Sequence, residues 1–144
     1  MTNVRQILET KGHEVWSVSA EATVYDALKV MSEKNVGALV VLDGGRLEGV
    51  ISERDYARKV ILKGKFSKEM PVREIMSTDV VTVLPNQSIE ECMALMTNKR
   101  VRHLPVLEGN SLVGVISIGD VVKAIISEQE FTIKQLMNYI TGAR

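Results

Sequence analysis

The chain is expected to adopt an α+β fold of two tandem units, each ordered strand, helix, strand, strand, helix. Residues 15 to 62 recur as residues 80 to 127 without a gap, and self-similarity at a fixed period means one structural unit used twice. Within each copy an apolar stripe of helical period gives way to short β-rich runs separated by turn residues. At 144 residues the chain has the size of one ordinary globular domain, so the two half-size units are expected to share one body.

Short strands are expected around Val15 to Val18 and Val80 to Val83. Val24, Ala27, Leu28 and Met31 then recur at i, i+3, i+4 and i+7, and Ile89, Cys92, Met93 and Met96 repeat that stripe. Each is an amphipathic helix with one buried face. Val36 to Leu42 and Val101 to Leu107 follow as strands and end at Asp43-Gly44-Gly45-Arg46 and Glu108-Gly109-Asn110-Ser111. Leu47 to Ile51 and Leu112 to Ile116 return as second strands and close a hairpin in each copy. Second helices are expected near residues 53 to 64 and 118 to 128. Upstream, Val4-Arg5-Gln6-Ile7-Leu8 answers Val72-Arg73-Glu74-Ile75-Met76 once three extra residues are allowed in the first copy. The polar stretch 63–79 suits an exposed link or interaction loop. Phe131, Leu136, Met137 and Ile140 predict a terminal helix lying on the body or on a partner chain. The organisation is therefore residues 1–70 as the first repeat with an N-terminal segment, 71–130 as the second, and 131–144 as a C-terminal helix.

Composition narrows the function. Formal net charge is zero, with eighteen basic and eighteen acidic residues, and no Lys or Arg run marks a groove for nucleic acid. Cys92 is the single cysteine, so no intrachain disulfide forms. Without an apolar leader or a run of roughly 18 apolar residues, the expectation is a cytoplasmic protein that does not enter a membrane.

One constellation could hold a ligand. Each second strand runs into Gly-Val-Ile-Ser-x-x-Asp, as Gly49 to Asp55 and again as Gly114 to Asp120. A strand feeding a helix through Ser leaves unpaired backbone N–H groups and a positive dipole end, which favour an anion such as phosphate. An Asp one turn inside can accept hydrogen bonds from two adjacent hydroxyls, as acidic residues do for a ribose. Gly on the strand would let a flat base approach the backbone. The same Ser-x-x-Asp is also a capping box in its broader form, which needs no ligand to explain it.

The repeated Gly-Val-Ile-Ser-x-x-Asp, with Val101-Arg102-His103-Leu104-Pro105-Val106 and the element order, resembles the cystathionine β-synthase (CBS) domain pair, or Bateman module, over about residues 4 to 127. The closest likeness is to stand-alone CBS-pair proteins. The resemblance implies two repeats packed about a pseudo-twofold axis, with two clefts that accept an adenine nucleotide: AMP, ADP, ATP or NAD(H). It places Ser52 and Asp55 opposite Thr82, Val83, His103 and Pro105, and Ser117 and Asp120 opposite Ser17, Val18, Ala38 and Val40. The aspartates take the ribose, the serines lie toward the phosphates, and Arg54, Arg102 and His103 are the candidate cations. It further implies a homodimer joined through exposed helices, reporting to an unidentified regulated protein.

Gly37-Ala38 stands where the second copy has Arg102-His103, and Gly119 where the first has Arg54. The cleft with Asp55 and His103 is therefore expected to prefer the more anionic ligand. His103 is equally readable as a strand histidine satisfied by a neighbour. Catalysis is not expected: His13, His103 and Cys92 are scattered, Cys92 falls on the apolar helix stripe, and neither a phosphate-binding Gly-rich loop with Lys nor metal-ligand spacing is present. The expected function is a non-catalytic nucleotide sensor. A ligand-free protein–protein module of the same fold is the alternative.

Overall fold

Both stripes become the helices their spacing predicts. The computed structural model describes residues 2–142. Helix α1 (Val4–Lys11) opens on a reciprocal cap, in which the Asn3 side chain accepts from the Gln6 N–H and the Gln6 side chain accepts from the Asn3 N–H. Helix α2 (Val24–Lys34) buries Val24, Ala27 and Met31, and α4 (Ile89–Lys99) buries Ile89, Cys92 and Met96. The two end alike, at Asn35 and Arg100, both in the left-handed conformation with φ of 55° and 56°.

The hairpins also form in register. Strand β2 (Ala38–Asp43) pairs antiparallel with β3 (Arg46–Ser52), and β4 (His103–Glu108) with β5 (Ser111–Ser117). Each pair carries an irregularity at the corresponding place, between Val41 and Leu42 and between Val106 and Leu107. Strand β1 (Ser17–Val18) adds a parallel edge to β2, while in the second copy only the Val83 to Val106 bridge answers it.

The compact units cut across the repeat boundaries. One unit is Glu14–Val80; the other joins the segment up to His13 to the residues from Val81 onward. Helix α1, which leads the first copy, thus belongs to the unit that holds the second. Its Val4, Ile7 and Leu8 join Val83, Ile89, Cys92, Leu104, Val106, Ile116 and Val121 in one apolar cluster. Burying each such side chain stabilises by about 1.5–3 kcal/mol. The leading segment of the second copy does the same for the first: Val72 and Ile75 join Val24, Met31, Leu39, Val41, Ile51 and Val60.

Several expectations change here. The stretch 63–79 is more than an exposed link, because the N–H groups of Val24 and Tyr25 donate to the carbonyls of Met70 and Ser67, and Val72 donates to Ala22. Its lysines face water while Val72 and Ile75 fill the core. The second helix of the first copy is short, α3 (Glu53–Lys59) followed by a 3-10 turn at Ile61–Lys63. Its counterpart α5 (Ile118–Thr141) instead runs unbroken into the tail. No breaker separates residue 128 from 131, so 131–141 extends α5 rather than forming a separate helix. The tail does not lie on the body, since Phe131, Ile133, Leu136, Met137, Tyr139 and Ile140 are all exposed.

Candidate functional site

The two Ser-x-x-Asp segments fold as helix caps. Ser52 precedes α3, and its Oγ accepts from the Asp55 N–H at 3.2 Å while Asp55 Oδ2 accepts from the Ser52 N–H at 2.9 Å and from Ser52 Oγ at 3.1 Å. Ser117 precedes α5 with the same exchange, Asp120 N–H to Ser117 Oγ at 3.2 Å and Ser117 N–H to Asp120 Oδ2 at 2.8 Å. Both capping boxes are complete without a ligand. A carboxylate offers about four acceptor sites, so capping leaves capacity on each acid for further donors.

Each acid also has a lysine. Lys59 Nζ lies 3.2 Å from Asp55 Oδ1 and donates to the Ile75 carbonyl at 2.9 Å. Lys11 Nζ, from α1, lies 2.7 Å from Asp120 Oδ2 and donates to the Val115 carbonyl at 2.9 Å. Burial pushes the Asp120 carboxyl up, but the Lys11 and Ser117 bonds outweigh it and hold the group below its ordinary value. Neither lysine was among the residues singled out from the sequence. Lys59 was legible as the i+4 partner of an acid on a helix. Lys11 sits in the stretch that carries the three extra residues.

The remaining site residues divide between the units. In Glu14–Val80, Ala38 pairs with Ser52 across the hairpin and Ser17 pairs with Val40. Val18 packs on the unit's apolar cluster, and Val40 is buried. In the other unit, His103 pairs with Ser117, and Val83 donates to the Pro105 carbonyl. Thr82 is half-buried beside it. Val83 is 1% exposed and both its backbone groups are engaged, the carbonyl by Leu107 N–H. Its side chain is core. Burial holds the His103 imidazole below its ordinary value, Lys11 and Arg102 add to this, and Asp120 opposes it. Arg54 and Arg102 are exposed and, among the described residues, form no ion pair.

The repeated glycines serve a different purpose from the one expected. A Cβ at Gly49 would come within 2.7 Å of the Ser77 carbonyl oxygen, and one at Gly114 within 2.6 Å of Leu8 Cδ2. Each glycine makes room for the leading segment packed on that strand, so the space beside it is filled by the protein and not left for a base. Cys92 is buried, and burial with the neighbouring Glu91 pushes its thiol up to about 11. A thiol so protonated is a poor nucleophile.

Among the described residues, no helix is long and apolar enough to cross a membrane and no three His, Cys, Asp or Glu are grouped as metal ligands. The model of the CBS domain matches residues 4–62 and 72–127. The chain is 40% identical to the CBS domain-containing protein CBSX3, mitochondrial, of Arabidopsis thaliana, over 98% of this chain and 73% of that one. A solved protein with CBS domains from Burkholderia ambifaria is 53% identical, superposes with a TM-score of 0.86, and the match covers 89% of this chain and 96% of that one. The CBS domain pair of protein MJ0100, solved in complex with 5′-methylthioadenosine and S-adenosyl-L-methionine, has a TM-score of 0.79 over 89% of this chain and 98% of that one. At 22% identity that likeness speaks for the fold.

Proposed function

The chain belongs to the CBS-domain family, and from this we propose that it is a non-catalytic regulatory module that binds an adenosyl ligand at the Ser-x-x-Asp junctions. The carrying observation is that both junctions place a capped helix N-terminus, a serine and a lysine-paired aspartate together. Asp55 and Asp120 accept the ribose hydroxyls, and the serines, the helix N-termini and the lysines face the phosphates. A CBS pair of this fold in complex with adenosyl compounds supports the ligand class. AMP, ADP, ATP and NAD(H) are the compounds we favour.

Ligand binding passes to a partner protein through linkage, since a ligand that prefers one arrangement of the module stabilises it by its differential affinity. We assign the exposed face of α5 to a second copy of the chain. Val122, Ile126, Ile133, Leu136 and Ile140 follow one another at the three-, four- and seven-residue spacings of a helix seam. Sedimentation should give a dimer, and Ile133→Asp with Leu136→Asp a monomer; a wild-type monomer removes the assignment.

One observation favours the ligand-free reading: both boxes close on internal partners alone. Thermal melting separates the two. A ligand at about 100 times its Kd adds roughly 2.7 kcal/mol, so AMP, ATP, NAD(H) or S-adenosylmethionine should raise the melting temperature visibly. No shift with any of them leaves the interaction module as the function.

A further inference from the structure

We infer that Lys11 is the specificity residue of the Asp120 site, making it select phosphorylated over unphosphorylated adenosyl ligands. The inference rests on the binding reading above and adds to it the residue that sets the ligand's charge.

The two copies solve one problem with different residues. A carboxylate suited to accept two ribose hydroxyls repels a phosphate nearby, and a lysine beside it removes that repulsion. At Asp55 the lysine is Lys59, one turn along the same helix. The corresponding position in the second copy is Ala124. There the cation comes instead from α1, where the first copy's leading segment is longer by three residues. In the unit without that extension, Ser77 closes on Val50 through two backbone hydrogen bonds of 2.9 and 3.0 Å. Val115, the repeat partner of Val50, receives the Lys11 ammonium on its carbonyl in place of such a bridge. The extension thus exchanges a backbone contact for a charge 2.7 Å from Asp120.

The ammonium has three donors. Val115 and Asp120 take two of them, and the side chain is 35% exposed. One donor is therefore available to a ligand oxygen beside the acid. Burial, Lys11 and Arg102 hold the His103 imidazole below its ordinary value, with Asp120 opposing, which disfavours a positive charge there. Lys11 is the cation in contact with Asp120, and through it a phosphate on the ligand is felt at this end.

Adenosine and AMP share the ribose and differ only in the phosphate, so their affinities separate this role from a structural one. Calorimetry on the full chain should give a preference for AMP in the wild type. Lys11→Met should weaken AMP by roughly tenfold or more while adenosine changes by less than about threefold, and Lys11→Arg should restore the preference. Melting curves of both variants without ligand verify that they fold. AMP and adenosine weakening together, or neither changing, overturns the assignment while leaving the binding reading in place. Wild-type protein that binds neither compound overturns both.

Discussion

Asp55 and Asp120 are each held on one side by the serine that precedes their helix and on the other by a lysine. The serine bond is local and follows from Ser-x-x-Asp alone. The lysine of Asp120 comes from 109 residues away in sequence and follows only from the fold. His103 shows the same dependence, since its charge is set by burial and by Lys11, Arg102 and Asp120. Because its folded value lies below the ordinary one, the unfolded chain takes up the proton first as the pH falls below about 6.5, and stability declines from there until the folded value is passed. Asp120 acts at a lower window, its contribution being present above its ordinary value of 3.8 and lost as the pH falls through the depressed one. Between pH 7.5 and 5.5 the urea midpoint of the wild type should therefore fall more than that of His103→Gln. Parallel curves for the two proteins would remove His103 as the cause.

The elements themselves were legible wherever their signals are local. The stripes Val24 to Met31 and Ile89 to Met96, the two hairpins and the four-residue turns stand where the spacing puts them. The ends of elements were less legible, because tertiary packing sets them. Residues 63–79 read as polar, yet Val72 and Ile75 complete a core that the first copy otherwise leaves open. Gly49 and Gly114 mark that packing, each facing a leading segment at a distance a Cβ would violate. Alanine at either position should cost about 1–3 kcal/mol by overpacking, read from denaturant unfolding. Gly49→Ala should cost more, because it meets the Ser77 backbone at 2.7 Å, whereas Gly114→Ala meets the end of a leucine side chain that can turn. Equal small losses at both would mean that the strands do not need these glycines for the leading segments.

At the scale of the whole chain, each unit is completed by the segment that leads the other repeat, α1 in one and Val72–Glu74 in the other. The repeat in the sequence announced two similar units, and the family match follows those boundaries. The exchange of leading segments was hidden, because Val4-Arg5-Gln6-Ile7-Leu8 and Val72-Arg73-Glu74-Ile75-Met76 resemble each other and either could serve either copy. That exchange also brings Lys11 to Asp120, a partner that no local pattern announces, whereas Lys59 lies within the i+4 reach of Asp55. On the proposed function, the two aspartates hold the ribose of an adenosyl ligand. Calorimetric titration of AMP into the wild type, Asp55→Asn and Asp120→Asn isolates this role, since asparagine keeps an acceptor for each cap. Wild-type protein should bind AMP, and the affinity should weaken by roughly tenfold or more in one or both variants. AMP binding untouched by either substitution, or no binding to the wild type, would remove the aspartates from that role.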